Sequence, residues 1–398
     1  MSRRSLSKVT ALFLVCLCAA LLLAACGGGG GSSSSSSATS EAESSKPSGG
    51  ETENAGEESS GEASGGVAEA AATVKPFIGK PSAFPVTEKL AELPKGATVA
   101  YVDCGTPYCA LFWELLQPAA QTMGVKLERV KAGSAANTVK AAFDTVLAQK
   151  PDAVIVTAIS LELWKNELKE LQEAEIPVVT TGVTGTEAFG IEGPQAAEAL
   201  SELAGKLMAN YVVAEMNPEA DAVIYEVPEL PYTTIIVEAF NQELERVCPE
   251  CSVRTAQISA AELGSTAPTT VVSDLQANAE TSVAVFTSPE TVLGLPTALK
   301  AAGIEVETLT YAATPQNLEY IKEGKQTASL EVDLPVLSWT LLDEAARGIA
   351  GQKLAGPEGE GITDMQFLTQ EDIKFDPSKG WTGYPEFAER FSRLWGVG

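Results

Sequence analysis

Two closely spaced cysteine pairs, Cys104 with Cys109 and Cys248 with Cys251, stand out in a sequence that contains no histidine. Lacking histidine, the chain has no imidazole general base, no imidazole metal ligand and no Ser-His or Cys-His nucleophile pair. Carboxylate-only or lysine-based chemistry stays open, but the missing histidine argues against a hydrolase, and no enzyme activity is expected. Four cysteines in local pairs suggest two short disulfide loops in an oxidising compartment. Cys248-Pro249-Glu250-Cys251 also has the spacing of a dithiol redox pair and of half a zinc site. Free thiols are the third option. No second half-site completes four zinc ligands, so neither a metal nor another cofactor is expected.

A further cysteine, Cys26, concerns location. Arg3, Arg4 and Lys8 precede an apolar run from Val9 to Leu23. A short apolar core after positive charge reads as a cleavable export signal rather than a membrane span. Leu23-Ala24-Ala25-Cys26 resembles the lipobox of bacterial lipoproteins. That resemblance implies a signal over residues 1–25, cleavage before Cys26, and a lipid on its sulfur at the outer face of the cell membrane. An ordinary secretory signal cut nearby is the alternative, and the adjacent arginines also suit a twin-arginine route. Residues 26–75 are rich in Gly, Ser, Glu and Ala. Such a stretch has too little apolar surface to offset the entropy of ordering and is expected to be a disordered tether.

Residues 76–398 remain as the functional domain, long enough for one two-lobed unit. The 53 acidic residues against 27 basic ones give a net charge of −26. Nucleic acid is a poor partner for such a chain, because affinity there comes from cations neutralising phosphates.

From Ala97 onward, short apolar runs alternate with amphipathic stretches. Val99–Val102, Lys126–Val130, Ala153–Thr157 and Val178–Thr181 read as strands, with helices between them. Asn137 is a candidate cap for the second of these helices. After a long helical stretch over Gln195–Glu215, the alternation restarts with Ala222–Glu226, Ser252–Gln257, Val283–Thr287, Val306–Tyr311 and Ser329–Val332. Thr314-Pro315 is a helix entrance and Gly324 an exit. Continuous apolar strands linked by single helices are βαβ units of parallel sheets covered on both faces. Two rounds predict an α/β fold with two similar open parallel-sheet lobes. A closed barrel of eight units is the alternative.

The region from about Lys95 to Ile373 resembles the type I periplasmic solute-binding proteins, in the branch of the ribose-binding proteins. Carrying the likeness are Thr106-Pro107-Tyr108, Leu293-Gly294, the run Ala298 to Gly303, Ala312 to Pro315, Ala328 to Pro335, and Asp343, Ala346 and Gly351. The resemblance implies two lobes joined by a hinge of crossing strands that close on a ligand. Lobe 1 would hold residues 97–190 and 334–360; lobe 2 would hold 191–333 and the C-terminal segment. It also implies a monomeric substrate-binding protein that hands a small solute to an ABC permease. A module reporting occupancy to a membrane receptor is the alternative.

Ligands of open α/β sheets sit beyond the carboxyl ends of the strands. The candidate contacts there are Asp103, Thr106, Tyr108, Ser160, Glu226, Tyr232, Ser288 and Asp333. The set holds no Lys or Arg. Sugar-binding members typically place an Asp-Arg pair and a further arginine where this chain has Gly182-Val183 and Ile236. A ribose-like ligand would therefore lose its bidentate clamps. Hydroxyls, aromatic rings and carboxylates suit a sugar-like, other neutral, or cationic polar solute.

Overall fold

Continuous apolar runs, buried on both faces, build two parallel sheets in the computed structural model, which describes residues 57–81, 83–361 and 363–397. The expected export signal, Cys26 and the first part of the tether lie outside these residues. Lobe 1 contains β1 (Thr98–Asp103), β2 (Lys126–Lys131), β3 (Ala153–Thr157) and β4 (Val178–Thr181) in the order β2-β1-β3-β4. All three pairings are parallel; Tyr101, for example, sits between Arg129 and Ile155. The helices α2 (Pro107–Met123), α3 (Ala136–Gln149) and α4 (Lys165–Glu173) form the crossovers. Asn137 lies inside α3 rather than capping it, and the position before the helix, Ala135, has no side-chain cap. Thr138 Oγ1 instead donates to the Ala135 carbonyl at 2.9 Å.

Lobe 2 is a six-stranded sheet in the order β10-β9-β8-β7-β5-β6. Its strands are β5 (Asp221–Glu226), β6 (Ser252–Gln257), β7 (Val283–Phe286), β8 (Glu307–Tyr311), β9 (Ala328–Val332) and β10 (Met365–Leu368). All pair in parallel except β10, which runs antiparallel to β9. Central strands such as β7 and β9 are buried throughout, whereas the edge strand β6 is half open. Around this sheet lie α5 (Glu198–Tyr211), α6 (Pro231–Val247), α7 (Ala267–Ala277), α8 (Leu295–Ala302) and α9 (Pro315–Lys322). The helix α9 starts as read from the sequence, with Pro315 in its first turn and Thr314 and Asn317 in a reciprocal capping box.

The chain passes between the sheets after β4, after β9 and again after α10 (Leu334–Ala350), a helix that packs on β3, β4 and α2 of lobe 1. Two departures from expectation concern the ends. The tether assigned to residues 26–75 includes a helix, α1 (Glu57–Val74), which packs on α5 and α6. Ala70 and Val74 are fully buried there. Alanine-rich sequence has high helix propensity, and a small-residue stripe can dock closely, so bulk composition hid an ordered element. The C-terminal segment, assigned to lobe 2, ends in α11 (Phe387–Trp395), which packs on α2 and α10 of lobe 1. Trp395 stacks on Trp339 at 5.2 Å, and its indole N–H donates to Asp343. Aromatic burial decides that placement.

Candidate functional site: the cleft between the lobes

On the lobe 1 side, the loop after β1 is closed by a disulfide between Cys104 and Cys109. Thr106 caps α2 by accepting from the Cys109 amide at 3.2 Å, and the buried Tyr101 hydroxyl donates to the Cys109 carbonyl at 2.6 Å. These bonds fix the start of α2, so Tyr108 and Phe112, one turn apart, face the cleft together. Their rings meet edge to face at 5.5 Å. Thr157 and Ala158 at the end of β3, and Thr181 and Gly182 at the end of β4, extend this wall.

Lobe 2 answers with Tyr232 from the first turn of α6, Tyr311 from the end of β8, and Val332 from the end of β9. The two tyrosine rings are 6.0 Å apart. Together the walls enclose about 420 Å³, including the part open to solvent. Among the described residues, one hydrogen bond crosses the cleft between the jaws: the Tyr108 amide donates to Glu290 Oε1 at 2.8 Å. Glu290 Oε2 accepts from the buried Ser288 hydroxyl.

Backbone strain gathers at the same place. Ala158 and Ala196 line the cleft and Ala312 follows Tyr311, and all three have φ between +47 and +60. Such conformations disfavour residues with a Cβ and persist where surrounding structure enforces them, often at ligand sites. Gly182, at φ +65, lets the Tyr232 ring come close; a Cβ there would meet Tyr232 Cδ1 at 3.4 Å.

The electrostatics are one-signed. Among the described residues no Lys or Arg lines the cleft. Burial pushes the Tyr108 hydroxyl far up, reinforced by Glu331, Tyr311, Tyr232 and Glu290. Burial does the same to Tyr232, with Glu290 and Tyr311 adding to it, and to Tyr311, with Glu331 adding. Glu331, on β9, is itself buried, which raises its carboxyl well above the ordinary range, with Asp333 reinforcing. Its side chain accepts a single long hydrogen bond among the described residues, from Ser329 Oγ to Oε2 at 3.4 Å.

Of the eight candidate contacts, the structure brings Tyr108 and Tyr232 into the lining and sets the buried Ser288 beside them through Glu290. The other five side chains lie outside the lining, and most are engaged within the fold. Asp103 is buried and bound to the Arg129 guanidinium, with the Gly105 amide donating at 2.7 Å. Thr106 is a helix cap. Ser160 is half-buried before a short 3-10 turn over Leu161–Leu163 and makes no side-chain cap. Glu226 accepts from Thr234 Oγ1 at 2.6 Å and Gln257 Nε2 at 3.1 Å. Asp333 caps α10 through the Val336 amide at 3.1 Å. Its second oxygen accepts from Thr382 Oγ1 and the Gly383 amide, both at 2.9 Å. Burial pushes the Asp333 carboxyl up to about 7.

Sequence reading passed over Phe112, Tyr311, Glu290 and Glu331. Tyr311 and Glu290 stood at strand tips and could have been found there, and Phe112 follows Tyr108 by one helical turn. Glu331 sits inside an otherwise apolar strand, and a charge interrupting such a run was the available signal.

A second buried group of acids lies where the crossings meet. Arg347 on α10 donates to Asp343 at 2.5 Å and approaches Glu358 at 3.4 Å. Gln195, in the crossing after β4, donates to Glu344 Oε1 at 2.5 Å and to the Glu358 carbonyl at 2.9 Å. Burial raises the Glu344 carboxyl well above normal, with Glu358 adding, and pushes Glu358 up to about 9.

Both cysteine pairs are disulfides, Cys104 with Cys109 and Cys248 with Cys251. The latter ties the end of α6 to the start of β6, away from the cleft.

Two parallel-sheet lobes, multiply crossed and closing on a cleft at their carboxyl edges, define a type I periplasmic binding fold. The chain belongs to the periplasmic binding protein family, whose domain profile ("Periplasmic binding protein domain") matches residues 98–353. No curated protein matches the sequence. Among solved structures, it is similar to an ABC transporter periplasmic solute binding protein from Actinobacillus succinogenes 130z with bound D-allose. That protein is 18% identical with a TM-score of 0.62, over 70% of this chain and 99% of the other. The arabinose ABC transporter's periplasmic binding component from Shewanella sp. ANA-3, bound to alpha and beta-L-arabinofuranose, is 19% identical. Its TM-score is 0.58, over 74% of this chain and 96% of that one. The XylFII-LytSN complex gives 16% identity and a TM-score of 0.60, over 70% and 100%. At these identities the likeness establishes the fold.

Proposed function

We propose that the protein is a lipid-anchored, extracytoplasmic substrate-binding protein of an ABC importer. It captures a small solute between its lobes and delivers it to a membrane permease without chemistry. The observation that carries this reading is the cleft itself. Aromatic side chains from both lobes face one another there, and among the described residues a single hydrogen bond, Tyr108 to Glu290, crosses the cleft. Few bonds across a cleft permit opening and closing about a hinge. The three structural relatives named above cover the same two-lobed region, and two of them hold sugars. Cys26 supplies the anchor in this reading, and the chain acts as a monomer.

The test is native mass spectrometry of protein purified without refolding, followed by thermal-shift screening against sugars, polyols, amines and nucleosides. A retained small molecule or a shift of several degrees is expected. Substrate turnover without stabilisation by any solute would overturn the reading. A second reading, occupancy sensing, is favoured by the neighbour of this fold that is itself a complex, XylFII-LytSN. Solute-dependent binding to a receptor ectodomain rather than a permease would select it.

A further inference from the structure

The cleft's aromatic rings come in two facing pairs, Tyr108 with Phe112 from lobe 1 and Tyr232 with Tyr311 from lobe 2. Ring faces carry partial negative charge and attract cations, most strongly where water is excluded. Beside them lie two buried carboxylates, and no Lys or Arg among the described residues offsets either in the lining. Glu290 is occupied by the Tyr108 amide and the Ser288 hydroxyl. Glu331 is not so occupied: it is 1% exposed, one oxygen has a single partner at 3.4 Å, and the other has none among the described residues. It stands on β9 between Leu330, the register partner of Tyr311, and Val332, which lines the cleft, so its carboxyl lies at the carboxyl end of the sheet beside the rings.

The cleft offers a sugar tyrosine hydroxyls and Thr181 but, among the described residues, no charged fork in its lining. Thr157 Oγ1 already donates within lobe 1, to the Tyr101 hydroxyl and the Val102 carbonyl, both at 3.2 Å. Most of the remaining wall is carbon from Phe112, Ala158, Ala196, Val332 and Leu337. Polar ligands that leave their groups unpaired in such a wall lose affinity.

We propose that the cleft takes a small organic cation, a quaternary or protonated amine, caged by Tyr108, Phe112, Tyr232 and Tyr311 with Glu331 as its counter-charge. The inference rests on the cleft being a capture site and names its ligand class. A buried acid without a partner is costly as an anion, and an arriving cation removes that cost. Specificity then comes from charge and ring geometry rather than from hydroxyl clamps.

The experiment is isothermal titration of the intact protein with three probes: choline, its uncharged isostere with carbon replacing the quaternary nitrogen, and D-allose. Choline should bind at least about tenfold more tightly than the isostere, a margin expected of a desolvated cation–ring site. Glu331→Gln should shrink that margin, with choline affinity falling by more than isostere affinity. Should Glu331→Gln fail to fold, Tyr311→Leu should shrink the same margin. Equal binding of choline and isostere, or binding of D-allose with none of choline, overturns the cation assignment and leaves the capture reading standing. A folded protein that binds none of the probes and retains no small molecule in native mass spectrometry overturns both.

Discussion

The buried acids at the hinge and beside the cleft differ in whether a cation is built in. At the hinge, Asp343 and Glu358 share Arg347, and Glu344 has the Gln195 amide. Beside the cleft, the buried Glu331 has a distant hydroxyl, and no basic side chain among the described residues stands in the lining. A buried charge with a built-in partner holds crossings together; one without a partner is suited to meeting a ligand. The same residue type therefore serves architecture in one place and recognition in the other.

That contrast can be broken most directly by removing the hinge cation. Arg347→Met leaves Asp343 and Glu358 without their cation and should cost about 3–5 kcal/mol in urea unfolding. Glu331→Gln should be neutral or stabilising in the absence of ligand, since it deletes an unpartnered buried acid. Equal losses for the two variants would erase the distinction.

The disulfides sharpen it next. Replacing either pair with serine should cost roughly 2 kcal/mol, as expected for short loops. Only the Cys104→Ser/Cys109→Ser protein should also lose ligand affinity, because that loop presents Tyr108. An equal affinity loss on opening Cys248–Cys251 would contradict this.

Acidity gives a smaller, graded test. Asp333 and Glu358 titrate in the folded state near about 7 and about 9, above their unfolded values. The folded state therefore holds more protons than the unfolded one between the unfolded carboxyl range and those values. This contribution to stability is full at low pH and lost as pH rises through each folded value. The melting temperature should fall from pH 6 to pH 9, and Glu358→Gln should flatten the upper part of that fall. A curve of unchanged slope in the variant would remove Glu358 from the explanation.

The smallest expected effect belongs to Tyr108→Phe. It keeps the ring and the backbone bond to Glu290, so affinity should change by less than about twofold. Tyr108→Ala, which removes the ring, should weaken binding about tenfold. A large loss in the phenylalanine variant would assign recognition to the hydroxyl instead.

Much of the fold was legible because strand, helix and turn signals agreed locally. Thr314-Pro315 opened a helix as read, and the continuous apolar runs of β1, β3, β5, β7 and β9 became buried parallel strands. The antiparallel β10 and the helices α1 and α11 were not legible, since their places depend on surfaces made by distant residues such as Trp339. The site was legible as positions rather than as side chains. Asp103 and Asp333 stood at the right strand ends, but Arg129, Thr382 and Gly383 engage them from afar. Tyr311 stood at a strand tip and Glu331 interrupted an apolar run, but neither signal says which way the side chain turns. Which tip residues point inward is decided by partners remote in sequence.

The helix α1 leans on α5 and α6, both in lobe 2. A hold on the chain ahead of α1, such as the proposed anchor at Cys26 would give, therefore acts on lobe 2 rather than on lobe 1. Pulling on the N-terminus would load lobe 2 without prising the mouth apart. Under the proposed anchoring, capture proceeds by the swing of lobe 1 while lobe 2 is held.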